Sequence, residues 1–329
     1  MKKIVLVILS FVIIFGIKAK TIEDMFGNKV NVPDNITRIL PYDPKTTFIL
    51  FPIVDDIMVG KIAVPCKRYY NFISSDFLKI KNVDPKRVED AMLLAPQVII
   101  IGVFSEKDDV MRAKSFADKI HVPLVKINIS FTALAKTYLF LGSVFDKKER
   151  GKMLALFISE NQKEAKELAK SKKITETAYH AIGSSGLLTD PENSKHNEIF
   201  KFLKIPIAAK TAIPTGGHAK VSMEQVLYWN PDYIFTTDLK KQTSAYNTIK
   251  TSNQWKGISA VKSGKIYEVP SQPLGWIDNP PSINRIPGMI WLCQLFYDLP
   301  ENIAREKITE FYKLFYKYDL SEDEYKELF

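Results

Sequence analysis

The chain has 329 residues, 46% of them apolar and 25% charged, with 46 basic residues against 37 acidic ones. Such a make-up belongs to a soluble globular protein of one large or two ordinary domains and excludes collagen-like and disordered classes. The basic excess is mild and spread along the sequence, which speaks for solubility rather than nucleic-acid binding, although it would also suit an anionic ligand.

Residues 1–19 stand apart. Lys2 and Lys3 precede an apolar run, 4–17, that is fourteen residues long. A membrane-spanning helix needs about 20. Ala19 offers a small residue for cleavage, with the larger Ile17 at the −3 position. A cleaved signal peptide and a periplasmic mature protein are expected, an uncleaved anchor being the alternative. No cysteine follows the run to carry a lipid. Without Lys2, Lys3 and Lys18 the net charge falls from +9 to +6.

Residues 21–32 read as a hairpin turning at Gly27-Asn28. A strand follows at 36–40, a helix at 46–54 entered through Pro44-Lys45, and a strand at 56–62 that leads to Cys66-Lys67-Arg68-Tyr69-Tyr70. A helix at 89–94, a strand at 98–102, a helix at 108–120 and a strand at 124–127 continue the alternation, which implies parallel βα units. Residues 131–173 have helical periodicity, with no Pro and only Gly142 and Gly151 as glycines. Their second part, 146–173, is dense in Lys and Glu with apolar Met153, Leu156 and Phe157, and reads as a long, mostly exposed helix. Alternation resumes with a strand at 177–182, a Ser-Ser-Gly loop, a helix at 197–203, a helix–strand segment at 221–237, a strand at 266–269 and closing helices at 280–299 and 303–317. Cys66 and Cys293 form no CxxC motif; export would permit a disulfide between them, and nothing in the sequence brings them together.

Two segments echo each other: 87–101, RVEDAMLLAPQVIII, and 221–237, VSMEQVLYWNPDYIFTT. In each, a Glu (Glu89, Glu224) lies seven residues before a Pro (Pro96, Pro231), and an apolar β-rich run follows. A charged residue at the front of such a helix is expected to face solvent. It would also favour the helix dipole by about 0.3–1 kcal/mol.

With its entry strand Arg38-Ile39-Leu40, the two Glu-x6-Pro segments, the long helix between them and the tail 255–267 (WKGISAVKSGKIY), the chain resembles the substrate-binding proteins of ABC importers that carry a rigid helical backbone. These serve siderophores, haem, cobalamin and metal chelates, and some members bind molybdate or bare metal ions. The resemblance covers almost the whole mature chain and rests on order and spacing. It implies an α/β fold of two lobes, each with a central, mainly parallel sheet, joined by one long helix: a lobe at 20–145, a connector at 146–173 and a lobe at 174–329. It also implies that Glu89 and Glu224 stand on the outer faces of opposite lobes and dock onto arginines of the permease.

Ligands of open α/β sheets bind at the carboxyl ends of strands, and clefts between domains are favoured. Those ends deliver Tyr42, Arg68, Tyr69, Tyr70, Ser105 and Ser185, then Gly217, His218, Trp276 and Arg285. Arg68 and Arg285 suit an anion. The tyrosines and Trp276 offer flat surface for a chelate, and His218 could complete a metal's coordination sphere or donate to an anion. The stretch 275–285, GWIDNPPSINR, is similar to a Trp-x-Asp-x-Pro-Pro-Ser stretch of some iron-complex and molybdate-type members; the plain alternative is a stiff Pro-Pro turn entering a helix. His121 and His180 read as structural, and His196 falls near a helix start. Four histidines without ligand-like spacing argue against a bare zinc or manganese site built from several His and carboxylates.

No G-x-S-x-G, HExxH or P-loop motif is present, so binding is expected rather than catalysis, with no permanently held cofactor. The leading expectation is a monomeric periplasmic receptor that delivers a metal complex, an iron siderophore or a nickel chelate, to an ABC permease and its ATPase. Molybdate or tungstate is the alternative cargo. An exported α/β enzyme is a remote third reading and would need a Ser or Asp beside His218 or His196.

Overall fold

The computed structural model describes residues 19–62, 71–84, 86–108, 110–214, 218–237, 245–278 and 280–329. The expected signal segment, Arg68, Tyr69, Tyr70 and Gly217 lie outside these residues, apart from Ala19. Among the described residues no helix is long and apolar enough to cross a membrane.

The first lobe opens with an antiparallel hairpin of β1 (Ala19–Glu23) and β2 (Lys29–Pro33). Gly27 takes φ 82° in its turn, where the Asp24 carboxylate collects the N–H groups of Phe26 and Asn28. Next come β3 (Ile39–Pro41), α1 (Pro44–Val54), α2 (Ser75–Lys79), α3 (Val88–Leu93), β4 (Val98–Val103), α4 (Met111–Lys119) and β5 (Leu124–Asn128). Strands β3, β4 and β5 form a parallel sheet, and β4, buried along its whole length, lies in the middle.

Helix α1 begins where Asp43 caps it, accepting the N–H of Thr46 at 2.8 Å, with Pro44 at its first position. The Thr46 hydroxyl in turn accepts the Gly102 N–H of β4 at 2.8 Å and fixes the helix to the sheet. The strand expected at 56–62 does not form. Residues 55–57 make a 3-10 turn, and only Met58 and Lys61 make isolated bridges, to Ile39 and Asn82.

Helix α5 (Leu134–Val144) and α6 (Lys148–Ser171) follow. The chain reverses between them through Asp146 at φ 54°. The helices touch backbone to backbone: a Cβ on Gly151 would sit 2.6 Å from the Tyr138 carbonyl oxygen and 3.0 Å from the Gly142 Cα. The two glycines noted in the sequence are therefore a contact point. Helix α6 is less exposed than expected. Gly151, Leu154, Ala155, Ile158, Ala165 and Ala169 form a buried stripe, while Met153 and Leu156 face outward.

The second lobe contains β6 (Ala178–Ile182), β7 (Leu188–Thr189), α7 (Glu198–Phe202), β8 (Ala219–Lys220), α8 (Met223–Trp229), β9 (Tyr233–Thr237), α9 (Ala245–Thr251), α10 (Ser259–Lys262) and β10 (Ile266–Glu268). The sheet order is β10-β9-β6-β7-β8, parallel through the first three strands and antiparallel at β7 and β8. The fold class is thus α/β, with two lobes around mainly parallel sheets and a long helix between them.

Three helices close the chain: α11 (Arg285–Tyr297), α12 (Glu301–Tyr316) and α13 (Glu322–Lys326). Helix α12 returns to the first lobe. Tyr316 packs edge-on against Phe48 of α1, Phe315 against Tyr138 of α5, and the Ser74 N–H donates to the Tyr316 carbonyl at 2.9 Å. The closing helices therefore do not belong to the second lobe alone, and one apolar core runs through both lobes. Cys293 is a buried thiol on α11 without a disulfide among the described residues, its pKa pushed up to about 12 by burial, and Cys66 lies outside those residues.

Candidate functional site

Strand register builds the centre of the site. Strands β6 and β7 pair antiparallel with Ile182 opposite Leu188, so the same alternation sets Asp190 opposite His180. Strands β7 and β8 pair with Thr189 opposite Ala219, which sets Asp190 opposite His218. One carboxylate thus stands between two imidazoles in a single row across the sheet. His180 Nδ1 lies 2.8 Å from Asp190 Oδ2, and His218 Nδ1 lies 2.8 Å from Asp190 Oδ1. The far nitrogen of His180, Nε2, meets the Thr237 hydroxyl of β9 at 2.7 Å. Gly183 and Gly186, at φ 76° and 71°, let the Ser-Ser loop turn tightly between β6 and β7.

A second pair comes from two loops. His196 lies in a 3-10 turn capped by Ser194, and Asn197 beside it donates to the carbonyls of Asp190 and Pro191 at 3.0 and 2.8 Å. Asp278 lies in the segment after β10. Its carboxylate is in direct ionic contact with His196 Nδ1, but the two are misaligned for a hydrogen bond. Both Asp278 oxygens are buried and without hydrogen-bond partners. The rings of His196 and His218 are 5.2 Å apart, centroid to centroid. One ligand atom each from Asp190, His196 and Asp278 can be chosen so that all lie within 4.8 Å of one another.

Burial grades the cluster from inside to outside. The side chains of His180, Asp190 and Asp278 are wholly buried, while those of His196 and His218 keep 17% and 22% exposure. Burial works against the charge of Asp190, yet hydrogen bonds from His180 and His218 hold its carboxyl well below the usual range. Burial likewise lowers the His196 imidazole pKa, and the Asp278 carboxylate more than reverses this, so the net shift is upward.

Neighbours of the cluster reach the other lobe. Lys195 lies over the Phe104 ring at 4.9 Å and 3.9 Å from Asp108, both in the first lobe. Glu198 accepts the Phe131 N–H at 3.0 Å and forms an ion pair with Arg285. Arg285 also donates to the Ile129 carbonyl at 2.5 Å. Burial lowers the Arg285 pKa, and the neighbouring Glu198 and Asp278 charges push back. The cluster therefore sits at the line where the lobes meet.

The residues expected to bind ligand divide in three. His218 is in the cluster, and Ser105 is near it, exposed, with its hydroxyl 3.2 Å from Asp108 opposite Lys195. Tyr42 packs its ring edge-on against Phe116 within the first lobe, and Ser185 lies exposed in the β6–β7 loop. Trp276 and Arg285 have other positions than expected. Trp276 is wholly buried, edge-on to Trp291 and Phe329, and forms wall behind Asp278 instead of a flat face. Arg285 is 2% exposed and its guanidinium is committed to the contact between lobes.

Sequence reasoning missed His180, Asp190, His196 and Asp278 as a group, and the argument against several converging His and carboxylates is corrected here. Three of the four histidines come together. The readable signal was the Gly-Ser-Ser-Gly turn, which brings the segments holding His180 and Asp190 into register. The connectivity Asp190–His180–Thr237 is that of a nucleophile triad, with Thr237 5% exposed at the end of β9. His196 and His218 each have an Asp beside them, and both carboxylates are wholly buried against imidazole Nδ1 atoms.

Glu89 and Glu224 are exposed in the first turns of α3 and α8. Each is followed at i+3 and i+4 by exposed apolar residues: Met92 and Leu93 after Glu89, Leu227 and Tyr228 after Glu224.

The profile of a family described as periplasmic binding protein matches residues 54–273. A solved ABC transporter solute binding protein from Sulfurospirillum deleyianum is 25% identical, with a TM-score of 0.80 over 94% of this chain and 98% of its own. The molybdate-binding protein MolA of Haemophilus influenzae is 20% identical over 91% of each chain. The Fe(3+)-citrate-binding protein YfmC of Bacillus subtilis is 23% identical over 59% of this chain and 60% of its own length.

Proposed function

The chain belongs to the periplasmic binding protein family, as an ABC-importer substrate-binding protein of the helical-backbone type, and we propose that it captures a metal complex in the cleft between its lobes and delivers it to the permease. One observation carries this reading. His196 and His218 stand 5.2 Å apart at the meeting line of the lobes, each with Nδ1 against a buried carboxylate. A carboxylate on one ring nitrogen is the usual support for an imidazole that ligates a metal through the other. Among the described residues no hydrogen bond occupies Nε2 of either ring. A complex with exchangeable positions, such as ferric citrate or nickel with histidine, would meet those atoms.

Residues 1–19 act in this reading as a signal peptide that takes the chain to the periplasm. Glu89 and Glu224 are its contacts with the permease, one on each lobe. The apolar pairs beside them support that role, because exposed carboxylates flanked by apolar anchors make better contact sites than charges alone. The enzyme reading is the weaker one, since the carboxylates beside His196 and His218 are wholly buried and offer no accessible nucleophile.

A second reading, molybdate, is favoured by the likeness to MolA along nearly the full chain. In it His196 and His218 would donate hydrogen bonds to an oxyanion. Titration with ferric chelates, with nickel plus histidine and with molybdate, followed by intrinsic Trp fluorescence, separates the two. Quenching by a metal complex at micromolar concentration is the expected result, and quenching by molybdate alone overturns the metal-complex reading.

A further inference from the structure

We infer that Asp190, His196 and Asp278 ligate a divalent first-row transition-metal ion directly, so that the protein itself supplies half or more of the coordination sphere of its cargo. This rests on the metal-complex reading and alters it in one respect, the carboxylates being ligands themselves and not only supports of the imidazoles. A cargo bound in this way arrives as a bare ion or as a complex that gives up neighbouring positions; a chelate that saturates its metal would be excluded.

Four observations meet on this point. Ligand atoms of the three residues lie within 4.8 Å of one another, close enough for small side-chain movements to converge on one ion. Metal–ligand bonds of about 2.0–2.2 Å place such atoms about 3–4 Å apart. Asp278 is wholly buried; one of its oxygens meets only His196 Nδ1, in a contact misaligned for a hydrogen bond, and the other has no partner. A carboxylate in that state is costly, and buried charges are ordinarily paired, hydrogen-bonded or bound to metal. The two buried carboxylates match the charge of a divalent cation. Finally, Asp190 is itself oriented by His180, whose far nitrogen is held by Thr237, so a supporting layer already stands behind the ligand.

The donor set points to the class of metal. One imidazole with two carboxylates suits iron, cobalt, nickel, zinc or manganese in their divalent states; the absence of sulfur from the set argues against Cu(I). All three donors come from the second lobe, from the residue after β7, the turn before α7 and the segment after β10. Among the described residues of the first lobe, Phe104, Asp108 and Phe131 contact Lys195, Arg285 and Glu198 beside the site. The site can therefore load without the lobes closing.

The test uses the full mature chain, stripped with a chelator, and Co2+ as a spectroscopic probe. Equilibrium dialysis and visible absorption are measured for the native protein, Asp278→Asn and His196→Gln, with far-UV circular dichroism to confirm that each variant folds. The expected result is one Co2+ per chain, d–d bands of mixed nitrogen and oxygen ligation, and a loss of about 100-fold or more in affinity in each variant. If folded variants bind Co2+ as the native chain does, the assignment of ligands is overturned. If Co2+ does not bind while ferric citrate still quenches Trp fluorescence equally in all three proteins, direct ligation is overturned and the metal-complex reading stands. If only molybdate binds, both fall together.

Discussion

His180 and Asp190 face each other across the antiparallel strands β6 and β7, Nδ1 to Oδ2 at 2.8 Å, with both side chains wholly buried. Because Asp190 also receives His218 and its backbone carbonyl receives Asn197, this one residue ties three strands to the loop that carries His196. Replacing Asp190 by Asn keeps the shape but turns an acceptor into a donor that faces an imidazole N–H. A buried group left unpaired costs about 1–3 kcal/mol. Asp190→Asn is expected to lower the unfolding free energy by about that amount, read as a lower urea midpoint with an unchanged slope, and to weaken ligand binding as well. A variant of native stability would show that the row contributes nothing to the fold.

The contact between Gly151 and Tyr138 decides how closely α5 and α6 approach. Alanine is worth up to about 1 kcal/mol over glycine inside a helix, so Gly151→Ala would stabilise an open site. Here the new Cβ would meet a carbonyl oxygen at 2.6 Å, a backbone atom that cannot swing aside. Overpacking of this kind costs about 1–3 kcal/mol. Thermal unfolding is expected to show net destabilisation. Gly257→Ala serves as the control: its Cβ would meet only Leu227 at 3.5 Å, and a change within about 0.5 kcal/mol is expected.

The two-lobe plan was legible because the echo of Glu89–Pro96 in Glu224–Pro231 is a local pattern, and periodicity reads local patterns well. The cluster was not. Strands β7 and β8 are two residues each, too short for any alternation to register, yet they set Asp190 beside His180 and His218. His196 and Asp278 meet only through tertiary packing of two loops. Trp276 and Arg285 were picked for their chemistry, and residue type does not reveal burial. The second tie between lobes was hidden for a similar reason: Phe311, Phe315 and Tyr316 show that α12 has an apolar face without naming what it packs on.

Three ties join the lobes. Helix α6 runs between them, and α12 crosses back to pack on α1 through Tyr316 and Phe48. At the cleft, Arg285 joins Glu198 to the Ile129 carbonyl. Ligand capture is expected to tilt the lobes only slightly, with spin-label distances between them changing by less than about 2 Å on binding. A large hinge rotation in that measurement would contradict the reading. The contrast variant Arg285→Met, which removes the ionic contact but keeps apolar bulk, is expected to broaden the distance distribution of the free protein.

Each lobe repeats the same surface unit, a carboxylate with an apolar pair at i+3 and i+4: Glu89 with Met92 and Leu93, Glu224 with Leu227 and Tyr228. Large apolar side chains seldom sit in solvent beside each other without a partner, and the repetition matches a partner that offers the same surface twice. Removing the charges tests one half of the unit and removing the apolar anchors the other. Glu89→Lys with Glu224→Lys, and separately Leu93→Ser with Tyr228→Ser, are expected to leave fluorescence titrations of the isolated protein unchanged. Each anchor in such an interface is worth about 1–2 kcal/mol, so the concentration needed to stimulate ATPase activity of the reconstituted importer is expected to rise about tenfold or more for each pair. Stimulation at native concentrations by both double variants would remove the docking role from these helices. Loss in the charge pair alone would leave the carboxylates as the contact and the apolar pairs as bystanders.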